Sequence, residues 1–149
     1  MTAHGVDTSF LVAHEVSRHT LHRRVRSCCD KLFMRGDRLA LAPQVLAEFI
    51  HVVTDDRRFT VPLSVEAAVE RTSAWWHADE VLPIYPGAET TRLFLSWLMQ
   101  FRLGRKRLLD TLLAATWHEA GVNQILTLNW AHFEVYGLFA TEFPSRVME

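Results

Sequence analysis

The chain has 149 residues, of which 49% are hydrophobic and 11% aromatic, enough to bury one sizeable core. Sixteen basic residues stand against seventeen acidic ones, so bulk charge does not indicate a nucleic-acid-binding protein. No run of about 18 or more apolar residues occurs, and the N-terminus has neither a basic start nor an apolar signal core. These features predict one domain over residues 1–149, a cytoplasmic location and no membrane insertion.

Short apolar runs alternate with longer amphipathic segments in the first half of the chain. A first strand should end near Val6 and Asp7, and the next helix lies within residues 19–36 and ends at Gly36. Residues 38–42 are strand-like, and Pro43 suits the first turn of a following helix. Buried stripes are expected at Leu21, Val25, Cys28 and Leu32 in the first helix and at Leu46, Phe49, Ile50 and Val53 in the second.

The second half continues this alternation. Ser64 should cap a helix that carries Val65, Ala68, Val69 and Thr72 on one side, and residues 80–86 are a short extended piece with prolines typical of a sheet edge. Two further helices are predicted to end on Gly104 and Gly121, and a buried strand follows over residues 123–129. Helices between strands predict an α/β/α sandwich on a mainly parallel sheet.

Four oxygen-bearing side chains are expected at one edge of this sheet. In an open parallel sheet, ligands bind beyond the carboxyl ends of the strands. Asp7 ends the first predicted strand and Asn129 the last, while Asp110 opens a helix and Glu48 lies in the helix that leaves the second strand. Crowded carboxylates repel one another, and a hard divalent cation such as Mg²⁺ or Mn²⁺ neutralises that repulsion. Their order along an alternating chain therefore predicts a metal site.

Each acid also has a structural interpretation when it is taken alone. Asp7 suits a turn or a cap, Glu48 suits a helix surface, and Asp110 suits the first turn of a helix, where it complements the dipole. A competing zinc site could use His14, His19 and His22, but no fourth ligand is evident. The adjacent cysteines, 28 and 29, fit neither a disulfide framework nor a CxxC site and are interpreted as reduced core residues.

Four segments together resemble a known family. "VDTSFLV", "APQVLAEFIHVVT", "RKRLLDTLLAAT" and "GVNQILTLNWAHF" are similar, in this order, to the motifs of PIN-domain proteins, in particular VapC-type toxins of type II toxin–antitoxin modules. The resemblance implies a PIN-like fold and a metal-dependent endoribonuclease. The acidic positions of the family fall on Asp7, Glu48 and Asp110, and its supporting hydroxyl positions fall on Thr8, Ser9 and Thr127.

The resemblance also implies the ligands, the partners and the reaction. Mg²⁺ or Mn²⁺ would be held by Asp7 and Asp110, with Glu48 acting directly or through water, for hydrolysis of an RNA phosphodiester. The basic residues Arg105, Lys106 and Arg107 are candidates to hold flanking phosphates. The family further implies a small antitoxin partner and a homodimer.

The fourth motif departs from the family pattern. Asn129 stands where many relatives have an acid, and His132 stands where an aspartate often precedes the aromatic residue. Asparagine offers a neutral oxygen and adds no charge, so a catalytically weak PIN-fold module that binds RNA or a protein partner is the alternative. A haloacid-dehalogenase-like phosphotransferase fits the sequence less well, because the motif of such enzymes needs a second aspartate at the position of Ser9.

Overall fold

The computed structural model describes residues 1–143, and in that part four strands alternate with helices. A single 3-10 turn, Arg105–Arg107, precedes the sixth helix. The elements in chain order are β1 Ala3–Val6, α1 Thr8–Glu15, α2 His22–Met34, β2 Arg38–Leu41, α3 Pro43–Val53, α4 Val65–Trp76, β3 Val81–Pro83, α5 Ala88–Gln100, α6 Leu108–Glu119, β4 Gln124–Leu126 and α7 Ala131–Glu134.

The four strands form one parallel sheet in the order β3-β2-β1-β4. In the centre of the sheet, Gly5 of β1 pairs with Ala40 of β2 on one side and with Ile125 of β4 on the other. Parallel neighbours need long crossover connections, which the helices provide. The predicted α/β/α fold with a parallel sheet is confirmed, and all four strands end at the same edge.

Close packing between β1 and α6 requires the glycine of β1. A Cβ atom at Gly5 would stand 2.6 Å from Nε1 of Trp117, and that indole is fully buried. Real Cβ atoms essentially never approach another atom this closely, so only a residue without a side chain lets α6 lie so near the sheet. Since Asp110 lies in the first turn of α6, this contact also positions one of the predicted acids.

Several sequence-based predictions of local structure are confirmed. Gly36 and Gly121 have φ angles of 81° and 77° just beyond α2 and α6, the left-handed conformation typical of a helix end. The hydroxyl of Ser64 accepts a hydrogen bond from the N–H of Ala67 at 3.1 Å and so caps α4. The two cysteines are free and Cys29 is buried, but Cys28, which was predicted in the buried stripe, is only partly buried.

The buried stripes were predicted correctly in part. In α3, Phe49 and Val53 are buried, but Val45 completes the stripe while Leu46 and Ile50 are only partly buried. In α4, Ala68 and Thr72 are buried as expected. The other two predicted positions of α4 are wrong, because Val65 and Val69 are 55% and 47% exposed.

Three element boundaries differ from the expectation. The segment Thr8–Glu15 is a helix that the sequence analysis did not include. The helix α5 ends at Gln100 rather than Gly104, because Arg102 takes a φ of 53° and turns the chain before that glycine. The strand β4 ends at Leu126, so Asn129 lies three residues beyond the strand in a turn.

No helix of residues 1–143 is long and apolar enough to span a membrane.

Candidate active site

Asp7 lies at the base of the carboxyl edge, between β1 and α1. Its N–H donates to the carbonyl of Leu126 at 3.0 Å, which extends the β1–β4 ladder by one hydrogen bond. Its side chain caps α1, because Oδ1 accepts a hydrogen bond from the N–H of Thr8 at 2.8 Å. The residue is only 6% exposed. The capping role expected of an isolated aspartate is therefore real, and it fixes the carboxylate rigidly at the sheet edge.

Two hydroxyl groups hold the second oxygen of Asp7. Oδ2 accepts hydrogen bonds from the hydroxyls of Thr127 at 2.7 Å and Ser9 at 2.9 Å. The two hydroxyl oxygens in turn accept the N–H groups of Asn129, at 2.9 Å, and Leu128, at 3.1 Å. Because these N–H groups occupy hydroxyl lone pairs, the hydroxyl protons are directed at Asp7, and the network favours the ionised carboxylate.

This network also explains why β4 is short. The chain turns after Leu126 so that the side chain of Thr127 reaches Asp7 and the following N–H groups meet the two hydroxyls. The third predicted supporting residue behaves differently, because Oγ1 of Thr8 is buried without a hydrogen-bond partner among the described residues. The backbone of Thr8, rather than its hydroxyl, supports the acid.

Opposing effects set the pKa of Asp7. Burial is the largest effect and raises the pKa, while the hydroxyls of Thr127 and Ser9 lower it. The negative charges of Asp110 and Glu48 raise it further, and the resulting pKa is about 6. The three predicted acids are thus close enough to interact electrostatically, and crowding of like charges contributes to the perturbation. Perturbed carboxyl groups of this kind are typical of functional sites.

Glu48 and Asp110 face a common opening. Glu48 projects from α3 and Asp110 from α6, and both line a cleft of about 330 Å³ between the two helices, which we call the α3–α6 cleft. Both side chains are partly exposed, unlike Asp7. The site therefore combines one buried, hydrogen-bonded carboxylate with two more accessible ones.

His132 reaches the same edge of the sheet. Its Nδ1, on α7, lies 2.9 Å from Oδ2 of Asp110 in the first turn of α6. The sequence left the role of this histidine open, and the structure shows it in direct contact with a predicted site residue. His118 behaves differently, since it lies in the last turn of α6 beside Trp97, with 5.6 Å between the ring centroids.

The remaining site predictions lie farther out. Asn129 is exposed, and its backbone N–H rather than its side chain contacts the hydroxyl network. The basic turn Arg105–Arg107 ends directly at α6, three residues before Asp110 at its nearest, and Arg105 and Lys106 are exposed. In the side-chain conformations of residues 1–143, no three His, Cys, Asp or Glu groups stand close enough to hold a metal ion.

The three histidines of the competing zinc site have separate local partners. Nδ1 of His14 lies 2.8 Å from Glu15, Nδ1 of His19 accepts the N–H of Leu21, and Nδ1 of His22 lies 3.0 Å from the carbonyl of Ala13. Each ring therefore already has a structural role at the α1–α2 connection.

A further contact beside the cleft was not foreseen. Nε2 of Gln44, in the first turn of α3, donates to Oγ1 of Thr116 on α6 at 3.0 Å. The two residues are 72 positions apart, and no local sequence pattern links them.

Comparison with known proteins identifies the family. A model of the PIN domain matches residues 6–138, and no curated protein matches the chain. The fold is similar to that of VapC20 from Mycobacterium tuberculosis, described as a sarcin–ricin loop cleaving toxin, with 19% identity and a TM-score of 0.69 over 92% of this chain and 96% of that one. FitAcB from Neisseria gonorrhoeae matches with 16% identity and a TM-score of 0.61 over 95% and 97% of the two chains. FitAB bound to a DNA fragment matches with 16% identity and a TM-score of 0.59 over 92% of each chain. Because its family model covers most of the sequence, the chain belongs to the PIN domain family.

Proposed function

We propose that this protein is a divalent-metal-dependent endoribonuclease and the toxin of a type II toxin–antitoxin module. The observation that carries the proposal is the state of Asp7. Two hydroxyl groups donate hydrogen bonds to this buried acid, and the negative charges of Asp110 and Glu48 raise its pKa. A fold gains no stability from gathering three acids at one edge, so the arrangement is best explained by a ligand that neutralises them.

The donor set suits a hard cation. Carboxylate oxygens are the ligands that Mg²⁺ and Mn²⁺ prefer, and Mg²⁺ commonly binds through one or two carboxylates. The two hydroxyls occupy Oδ2 of Asp7, whereas Oδ1 accepts one N–H and keeps capacity for a cation. We therefore assign Asp7 and Asp110 as ligands, with Glu48 acting directly or through water. Asn129 is kept as a proposed neutral oxygen ligand, although its backbone N–H rather than its exposed side chain contacts the hydroxyl network.

The residues of the chain then have distinct roles in phosphodiester hydrolysis. A divalent cation held by Asp7 and Asp110 would supply positive charge beside the scissile phosphate and would favour deprotonation of the attacking water. Ser9 and Thr127 keep the carboxylate of Asp7 ionised and oriented, and His132 holds the carboxylate of Asp110. The basic turn Arg105–Arg107 attracts flanking phosphates beside this site.

The structural neighbours support the biological context of the proposal. VapC20 is described as a sarcin–ricin loop cleaving toxin, and FitAB was solved on a DNA fragment. With the motif resemblance to VapC-type toxins, this likeness leads us to propose an RNA substrate and a cognate antitoxin, and the motif resemblance alone leads us to propose a homodimer. If the chain is a toxin, its expression alone should arrest growth, and the same chain carrying Asp7→Asn should not. Equal growth of the two strains at matched protein levels would contradict the toxin assignment.

Ribonuclease activity tests the enzymatic part directly. The wild-type protein with Mn²⁺ should cut total RNA, and Asp7→Asn or Asp110→Asn should abolish cutting. Asp79→Asn is a matched control, because Asp79 is exposed just before β3, at the opposite edge of the sheet. Full activity in either site variant, or loss of activity in the control, would contradict the assignment.

A binding module without catalysis is the second candidate. It is favoured by the neutral Asn129 and by the absence of three ligand-type side chains within metal-holding distance among residues 1–143. Calorimetric titration with Mn²⁺ separates the two functions, because a metal-dependent nuclease should show a saturable site that Asp7→Asn removes. A flat titration of the wild-type protein would favour the binding module.

A further inference from the structure

The α3–α6 cleft extends beyond the acids and has an unusual lining. Glu48 and Asp110 lie in it, and much of the rest is apolar, including Ala47, Leu109 and Leu112. Its volume of about 330 Å³ is at the lower end of the roughly 300–1,000 Å³ typical of small-molecule pockets. It is therefore large enough to hold one small group beside the acidic site.

The mouth of the cleft carries an exposed leucine. Leu109, next to Asp110 in the first turn of α6, is 65% exposed. The buried residues of α6 are Thr111 and Leu113 to Trp117, so this leucine is not part of its packing face. An apolar side chain beside a polar site gives a surface on which a planar ring can pack with release of water.

A fixed amide supplies hydrogen-bonding groups to the same cleft. Nε2 of Gln44 donates to Oγ1 of Thr116, and that hydroxyl donates to the carbonyl of Leu112. This chain of bonds sets the orientation of the amide, because the hydroxyl proton is already used. Gln44 lines the cleft, and among residues 1–143 neither its Oε1 nor its second Nε2 proton has a hydrogen-bond partner. One acceptor and one donor are thus presented side by side.

We propose that the α3–α6 cleft is a nucleobase subsite, which receives one unstacked base of single-stranded RNA next to the bond that is cut. The side-by-side donor and acceptor of Gln44 match the paired groups on a base edge, and glutamine amides read bases in this way. Proteins that recognise single-stranded RNA stack unpaired bases on side chains and hydrogen-bond their edges. The subsite makes Gln44 a specificity-determining residue, and the inference rests on the proposed ribonuclease function.

Binding can be measured without cleavage. Four RNA hexamers that differ in one central base, and a fifth that lacks a base there, are titrated into the protein in a chelator while fluorescence anisotropy is recorded. The wild-type protein should bind one of the four about tenfold more tightly than the abasic RNA, the size expected for a good bidentate contact. Gln44→Met should remove most of this difference and leave binding of the abasic RNA unchanged.

Two further variants test the cleft if Gln44→Met proves unstable. Ala47→Leu fills the cleft from the exposed surface of α3 and should also abolish the difference, and Leu109→Ala should weaken it several-fold. Leu95→Ala is the matched control, since Leu95 is 59% exposed on α5 and does not line the cleft. A preference that survives Ala47→Leu, or a wild-type protein that does not distinguish base from no base, overturns the inference.

Failure of this inference is distinguishable from failure of the proposed function. Metal-dependent cutting of total RNA with mapped ends that show no base preference would leave the ribonuclease intact and remove the subsite. Base-dependent binding without any metal-dependent cutting would leave the subsite and remove the enzyme.

Discussion

Replacing Asp7 with asparagine should change how the stability of the protein depends on pH. The pKa of Asp7 lies at about 6, above its ordinary value of 3.8, chiefly because the carboxyl is buried. The folded protein therefore binds this proton more tightly than the unfolded chain. The stability that the protonated group contributes is fully present below about pH 3.8 and is lost as the pH rises through about 6. Asparagine has no such titration.

The magnitude follows from linkage between the two pKa values. Integrating from about pH 4.5 to about pH 7.5 shows that the free energy of unfolding of the wild-type protein falls by roughly 2 kcal/mol through this titration. The Asp7→Asn variant has no such titration and avoids this loss. The amide also loses contacts, because it cannot accept from Thr8, Ser9 and Thr127 with a single oxygen. The missing hydrogen bonds lower the free energy of unfolding of the variant by roughly 1–3 kcal/mol at every pH. They therefore shift its plot of unfolding free energy against pH without changing the slope.

Urea unfolding in a chelator at several pH values measures the difference between the two proteins. From about pH 4.5 to about pH 7.5, the free energy of unfolding of the variant should rise by about 2 kcal/mol relative to that of the wild-type protein. Asp55→Asn provides a control whose stability difference should stay constant over this range, because the N–H of Arg57 and the nearby arginines lower the pKa of Asp55 and place its titration below the range. A stability difference for Asp7→Asn that stays constant with pH, or that falls as the pH rises, would refute the reasoning.

Three other changes should have distinct effects. Thr127→Val removes a hydrogen-bond donor to Asp7, so it should raise the pKa of that acid further and destabilise the fold by roughly 1–3 kcal/mol. Thr127→Ser keeps the hydroxyl and should restore the wild-type pKa and stability, as measured by urea unfolding at several pH values. Gly5→Ala should cost about 1–3 kcal/mol by the same assay, because its methyl group meets the buried Trp117, and wild-type stability would contradict this packing. Asn129→Asp should tighten Mn²⁺ binding several-fold, by about 1 kcal/mol in calorimetry, and lower the melting temperature without metal; unchanged affinity would place residue 129 outside the site.

The fold could be predicted where the hydrophobic pattern has one clear period. The helix α1 lacks such a pattern, because five of its eight residues are buried and no polar face marks it as a helix. In α4 the hydrophobic pattern predicted a helix, but it did not predict which side of the helix faces the core. Ala68 and Thr72 face the core, while Val65 and Val69 remain exposed, since packing against neighbouring elements decides which side of a weakly amphipathic helix is buried.

The candidate site could be predicted to the level of which acids share one edge. That much follows from topology, because the strands run parallel and all end together. The partners of those acids depend on contacts between distant residues. The hydrogen bond between His132 and Asp110 and the amide contact of Gln44 with Thr116 arise only when helices pack side by side. Sequence spacing carries no information about such contacts.

The balance of charge at the edge suggests how metal and RNA act on each other in the proposed enzyme. The chain has a net charge of −1, so its attraction for RNA must be local, and the basic turn Arg105–Arg107 lies just before Asp110. The acids beside this turn repel phosphate until a divalent cation reverses the local charge. Metal should therefore strengthen RNA binding, and by linkage RNA should strengthen metal binding by the same factor. If the proposed function is correct, the near-neutral chain should bind RNA chiefly at this edge.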